Sequence, residues 1–221
     1  MERALIIGDS GGIGGAIAQA LRGQGTQVSG LSRSRDGFDV TDPDAVQRGM
    51  AGLEGTFDLI VVATGGLQID GARPEKALSQ IAAPALQAQF ALNAIGPALI
   101  LSHATLLIPR DRRSVIGILS ARVGSIGDNR LGGWHGYRMA KAAVNQLVRG
   151  AAVELARTRP MAICAALHPG TVATQFTRDW VAPDNATPPD QAARNLLAVM
   201  ADLGPDQSGG FFDYAGAEIP W

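Results

Sequence analysis

The sequence predicts an α/β fold built on a parallel sheet, and three observations carry that prediction. An apolar run at residues 3–7 stops at Gly8-Asp9-Ser10-Gly11-Gly12-Ile13-Gly14, after which Ala16, Ile17, Ala20 and Leu21 recur at helical spacing; this reads as strand, glycine turn, helix. The runs 57–63, apart from Asp58, and 114–120, apart from its terminal serines, are apolar without alternation, as strands buried on both faces of a parallel sheet are. Alanine- and leucine-rich helical stretches lie between the strands, as parallel crossovers require. With 221 residues, 46% hydrophobic and 18% charged, the chain is long enough for one large domain with a substantial core.

In the first turn, Gly8, Gly12 and Gly14 let the backbone bend sharply and approach a pyrophosphate, whose charge the helix N-terminus would meet. A tight turn with no ligand is the alternative. The second strand, 27–31, ends in Ser32-Arg33-Ser34-Arg35, with no acid to hold a ribose 2′-hydroxyl. Two arginines and two serines there can pair with a 2′-phosphate, which favours NADP, with NAD possible. Phe38-Asp39-Val40 reads as a short third strand, followed by a helix opened by Thr41 or Asp42 with Pro43 and running to Met50. Asp39 could meet an adenine edge or serve the turn.

The 57–63 strand ends in Thr64-Gly65-Gly66, where a ligand could lie close. Residues 79–107 read as mostly helical, with Pro84 in the first turn and a kink at Pro97. Asn93 is an indifferent helix former inside this apolar stretch, so it either holds a water or carbonyl or is simply a satisfied interior amide. The loop 121–136 carries five glycines with Ser125, Asn129, Trp134 and His135, and loops at this end of such sheets build sites. After a helix from Tyr137 to about Arg157 and a strand over 161–167, the turn from His168 to Thr174 could close over a cofactor. Residues 175–190, with Phe176 and Trp180, read as a mobile flap before a helix over 190–203 and a last strand over 210–214.

Tyr137-Arg138-Met139-Ala140-Lys141 opens the long helix, placing the phenol and the ammonium on one face, a turn apart. A free tyrosine titrates near ~10, and bringing it to ~7 needs about 4 kcal/mol of preference for the phenolate. A neighbouring lysine can supply much of that by Coulomb attraction. A surface aromatic beside a solvated lysine would show the same spacing.

Net charge is −1 and no lysine or arginine run occurs, so neither nucleic acid nor an anionic membrane is expected as a partner. The single cysteine, Cys164, lies in an apolar run, which fits a reducing compartment. No secretory signal and no apolar run of the ~18 residues a span needs is read, and a cytoplasmic protein is expected. His103, His135 and His168 lack ligand spacing, so no metal is expected.

Together, Gly8-x-x-x-Gly12-Ile13-Gly14, Asn93, the serine-ended strand at 120, Tyr137-x-x-x-Lys141 and Pro169-Gly170 resemble the short-chain dehydrogenase/reductase family over nearly the whole chain. Residues 120–134 and 210–221 resemble its branch of C-factor and Sniffer-like carbonyl reductases. The resemblance implies a single-domain Rossmann fold, a seven-stranded parallel sheet with helices on both faces, and hydride transfer between NADP and a small carbonyl or alcohol. Tyr137 would be the acid/base, Lys141 would lower its pKa and hold the nicotinamide ribose, and Asn93 would position a relay water. Cofactor contacts are implied at Gly8, Ser10, Gly12, Ile13, Gly14, Arg33, Ser34, Asp39, Val40, Ala63, Thr64, Gly65, Asn93, Tyr137, Lys141, Pro169, Gly170, Val172 and Thr174. Trp134, Asn129, Phe176 and Trp180 are placed around the substrate. The family also implies a homodimer or homotetramer through the helices around 79–107 and 137–158.

Three positions depart from the family pattern. Ile7 replaces a threonine, Thr64 stands where asparagine is common, and Ala121 occupies the position of the serine that holds the substrate carbonyl. Losing such a donor costs ~10²–10³ in kcat. Ser125, on the same loop, is favoured as a substitute over Ser120, which strand alternation points to the opposite face. Ala121 also motivates a second reading, a dinucleotide-binding signalling or regulatory protein with little turnover.

Overall fold

A computed structural model describes residues 1–221, the side chain of Pro183 excepted. The elements in order are β1 (Arg3–Ile7), α1 (Gly12–Gly23), β2 (Gln27–Leu31), α2 (Arg33–Asp36), α3 (Pro43–Ala51), β3 (Leu59–Val62), α4 (Ala83–Phe90), α5 (Gly96–Ala104), β4 (Ser114–Leu119), α6 (His135–Thr158), β5 (Ala162–His168), α7 (Pro189–Asp202) and β6 (Phe211–Asp213). The six strands form one parallel sheet ordered β2-β1-β3-β4-β5-β6. The strand order reverses between β1 and β3, and the crevice beyond their carboxyl ends is where such sheets bind ligands.

Side-chain alternation along β1 divides the core in two. Leu5 and Ile7 join Val46 and Met50 of α3, Ile100 of α5 and Val144 and Val148 of α6 on one face. Ala4 and Ile6 join Ile17 and Leu21 of α1 and Leu196 and Met200 of α7 on the other. Helices cover both faces, so β3 and β4 are buried at every position. Each such Ile or Leu contributes about 1.5–3 kcal/mol by leaving water.

The expected seventh strand does not form. At residues 38–40 local turns take the groups a ladder would use: the Phe38 N–H donates to Ser32 O at 3.2 Å and the Asp39 N–H to Gly37 O at 3.0 Å. Asp39 itself accepts from the Thr41 N–H (2.9 Å) and hydroxyl (2.7 Å). Phe38 and Val40 are nonetheless buried, packed onto the bare backbones of Gly49 and Gly96. The third helix is as expected, capped by Asp42, whose carboxylate accepts from the Asp44 N–H at 2.9 Å.

The long helical stretch is interrupted where Pro97 was expected to act. Pro97 has no N–H to donate to the Asn93 carbonyl, and the backbone widens to a π-helix over Ala91–Ile95 between α4 and α5. Contrary to the expectation of no such run, Ala83–Ala104 is 22 residues long with hydropathy 1.3, enough to span a bilayer by length and composition alone. Here it packs against α3, α6 and β3 as a core helix of the α/β layer. Of the stretch 175–190 read as a flap, residues 175–188 are turns, bends and one 3-10 segment and α7 already begins at Pro189; the stretch is closed at the base where Val172 bridges Thr187 and the Thr187 N–H donates to Thr171 O at 2.8 Å.

Candidate active site

The glycine turn is shaped as predicted. Gly8 has φ +90°, in the left-handed region that favours glycine, and its N–H is held by Leu31 O at 2.7 Å. A Cβ on Gly14 would stand 2.4 Å from Gly8 O, and one on Gly12 would stand 2.5 Å from Thr174 Cγ2. The turn is thus pressed under the segment after β5 at Gly12 and Thr174. α1 begins here with no side-chain cap and no acid in its first turn, leaving amides and a positive dipole end for an anion.

Beyond β3, Gly65 has φ +154°, and a Cβ there would stand 2.9 Å from Asn93 Oδ1 and 3.4 Å from Lys141 Nζ. This glycine lets three separate elements meet. Asn93, fully buried, clamps the loop: its Oδ1 accepts from the Gly66 N–H (3.1 Å), while its Nδ2 donates to Gly66 O (2.8 Å) and Gln89 Oε1 (2.8 Å). Its side chain is therefore a satisfied interior amide. The Thr64 hydroxyl nearby is buried with no hydrogen-bond partner among the described residues, an orphan that a ligand would satisfy.

Tyr137 is 6% and Lys141 3% exposed, on the buried face of α6. Lys141 Nζ donates to Leu119 O at 2.9 Å and lies 5.8 Å from the Tyr137 ring centroid. Among the described residues none hydrogen-bonds the Tyr137 hydroxyl. The lowering of the phenol pKa that the resemblance implies is not found here. Burial pushes the Tyr137 phenol well above its ordinary value, and burial pulls the Lys141 ammonium down to about 8. The Lys141 ammonium is turned toward the end of β4, where it donates to Leu119 O.

Two aromatic side chains lie against Tyr137, and a third packs on one of them. Trp134 meets it edge-on at 6.5 Å and Phe176 at 6.1 Å, while Trp180 closes on Trp134 at 6.0 Å. Trp134 sits at φ 50°, a left-handed conformation costly for a bulky residue. Glu75 holds it there, accepting from the Trp134 N–H through its backbone carbonyl and from the Gly136 N–H through its carboxylate (3.1 Å). Asn129, expected beside the substrate, instead accepts from the Gly132 N–H at 3.0 Å within its own loop.

Neither candidate serine is available to replace the missing hydroxyl. Ser125 donates to Pro220 O and accepts from the Asp128 N–H at 3.0 Å, so the expectation that it swings inward is corrected: the tail near the end of the chain holds it. Ser120 donates to Asn145 Oδ1 at 2.6 Å. Ala121 itself is extended, with φ −149° and ψ 145°.

After β5, Gly170 has φ +77° and the Tyr214 ring against it, and Val172 is buried. His168 is also desolvated, with an unpartnered Nδ1; burial first, then Arg122, pulls its pKa down to about 4. At the end of β2, Arg33 and Ser34 are exposed on α2. Arg35 is different: it pairs with both Asp9 and Asp36, at 2.9 and 2.8 Å. Asn145, Gln89 and Glu75 went unread in the sequence; Asn145 extends the row Tyr137, Lys141 at the next turn of α6, a signal that was there to use.

A parallel sheet with a glycine turn at its strand-order reversal, and a buried tyrosine–lysine pair beside it, defines a nicotinamide-dependent oxidoreductase of the Rossmann type. Residues 2–185 match the family model for short chain dehydrogenase, and the chain belongs to that family. It is 38% identical to the C-signal of Myxococcus xanthus over 136 residues, 60% of this chain and 76% of that one. The carbonyl reductase Sniffer of D. melanogaster superposes with a TM-score of 0.85 at 20% identity, over all of both chains. An NADPH-bound carbonyl reductase from chicken fatty liver superposes with a TM-score of 0.85 at 20% identity, over 100% of this chain and 99% of that one.

Proposed function

We propose that the protein reduces a small carbonyl compound with NADPH, Tyr137 donating the proton. The observation that carries this reading is Tyr137: its side chain is almost wholly buried, its hydroxyl has no hydrogen-bond partner among the described residues, and it stands one turn from Lys141 with Trp134 and Phe176 against its ring. A bound reduced nicotinamide would supply the hydride. The residues fit the cofactor: bare glycines at 8, 12 and 14 at an uncapped helix end, an orphan hydroxyl at Thr64, and an exposed cation at Arg33.

The phenol is protonated at neutral pH and is the group able to donate a proton to a carbonyl oxygen; burial weakens it as an acid, which a neighbouring positive charge offsets as the proton leaves. Lys141, with a pKa of about 8, remains mostly charged at neutral pH and offsets negative charge developing on the phenol oxygen. Asn93, Gln89 and Gly66 hold the floor of the site rigid. The aromatic side chains of Trp134 and Phe176 beside Tyr137 suit an apolar or aromatic carbonyl. Because the NADPH-bound structure has the same fold, the cofactor reading is consistent with it. The protein is read as cytoplasmic, and exposed Ile95 and Leu106 as part of a homo-oligomer face, which sedimentation yielding monomer alone would reject.

The test is NADPH oxidation with aldehydes, ketones and quinones, alongside Y137F. Turnover that falls by ~10²-fold or more in Y137F, with NADPH binding retained, supports the reading. Tight binding with no turnover across the panel favours the second reading, a cofactor-binding regulatory protein. Ala121 and the similarity to C-signal support that alternative.

A further inference from the structure

The glycine turn contains an acid, and it is not at the surface. The Asp9 carboxylate is 2% exposed and takes two bonds from one guanidinium, Arg35 Nη1 to Oδ2 at 2.9 Å and Nη2 to Oδ1 at 3.0 Å. Room for it exists because position 30, in β2, is glycine: a Cβ there would stand 2.0 Å from Asp9 Oδ2. Arg35 also donates to Gly30 O (2.8 Å) and, through Nε and Nη2, to Asp36 (3.1 and 2.8 Å). Asp36 in turn is held by the Ser32 N–H (2.8 Å) and hydroxyl (3.2 Å). All three nitrogens of Arg35 are engaged, and two carboxylates face its single charge. Arg33, on the same short helix, has no ion pair among the described residues.

We infer that Asp9 is a selectivity-determining residue: by binding Arg35 from inside the glycine turn, it withholds that cation from a 2′-phosphate and leaves Arg33 to meet the phosphate alone. This rests on reading residues 8–14 as the dinucleotide site. A 2′-phosphate carries close to two negative charges and is best recognised by an arginine free to present two parallel donors. Arg35 cannot do so while Asp9 occupies its fork, and the Asp9 and Asp36 carboxylates repel the same phosphate. The ribose 2′-hydroxyl of NADH meets no such penalty. The intact protein therefore tolerates both cofactors, with only a modest preference for NADPH.

The experiment is a fluorescence or calorimetric titration of NADPH, NADH, adenosine 2′,5′-bisphosphate and AMP into the wild type, D9N, R35Q and the double variant. In D9N the shape is kept and the charge removed; the NADPH-to-NADH affinity ratio, and that of the bisphosphate to AMP, is expected to rise by roughly 10–100-fold, the worth of one charge-assisted contact. R35Q should leave the wild-type ratio within about threefold, and R35Q in the D9N background should erase the gain, as the coupling of two contacting residues requires. An unchanged ratio in D9N overturns the inference. So does a fall of tenfold or more in the NADPH-to-NADH ratio of R35Q in the otherwise wild-type protein, an arm that needs no D9N protein and decides the matter even if D9N does not fold. Should the wild type bind none of the four nucleotides, the dinucleotide reading falls and this one with it; binding of all four with no D9N effect rejects this inference alone.

Discussion

Replacing Lys141 by methionine should make the ligand-free protein more stable while removing its activity. The Lys141 ammonium is buried, and its polar contact is one carbonyl, Leu119 O, rather than a carboxylate. A lysine whose pKa falls from 10.5 to about 8 on burial carries a cost of about 3 kcal/mol at neutral pH. Methionine fills similar volume without charge and gives up one hydrogen bond, a loss of about 1 kcal/mol. The net expectation for K141M at pH 7 is a gain of about 2 kcal/mol. The sign with pH follows from proton counting. Between pH 8 and 10.5 the unfolded lysine holds a proton that the folded one has lost, so unfolding free energy rises with pH through that window. The buried Cys164 thiol, pushed up to about 12, and the Tyr137 phenol, also raised, act in the opposite direction above about pH 9 and 10. Both are present in both proteins, so the quantity to read is the difference between wild type and K141M. Urea unfolding at intervals from pH 7 to 10.5 should show the variant's advantage shrinking by about 3 kcal/mol. A variant less stable than wild type at pH 7, or two pH profiles that run parallel, would refute the argument that Lys141 is held against its own desolvation.

Two further predictions test the site. A121S restores a hydroxyl where the family carries one, on an extended residue immediately after β4; kcat for carbonyl reduction should rise, by up to ~10²-fold if the hydroxyl reaches the substrate oxygen. Steady-state kinetics with kcat unchanged would show that the aromatic wall and Tyr137 orient the substrate without it. G14A places a methyl 2.4 Å from Gly8 O; a melting temperature lowered by several degrees and NADPH affinity weakened at least tenfold are expected, since backbone rather than a flexible side chain must move. Unaltered binding in G14A would mean that the turn does not carry the cofactor.

The sequence by itself determined the pieces that depend on local order: the glycine turn, the buried strands, the helix opening at Thr41 or Asp42 with Pro43, and the shared helix face of Tyr137 and Lys141. These follow from spacing and from the steric demands of glycine and proline, which act within a few residues. Tertiary structure decided what those groups face. Residues 38–40 have the apolar pattern of a strand, but Asp39 and Thr41 turn the backbone onto itself before it can pair. Ser125 lies on the expected loop, yet a carbonyl 95 residues away claims its hydroxyl. Arg35 looked like a free phosphate ligand in the run Ser32-Arg33-Ser34-Arg35, and Asp9, 26 residues earlier, is its partner. The Tyr137 phenol was expected to be acidified by its neighbour, but that balance depends on desolvation and on where Lys141 Nζ points. Hydrogen bonds and burial join residues distant in the chain, and no local pattern records which of several competent donors will meet which acceptor.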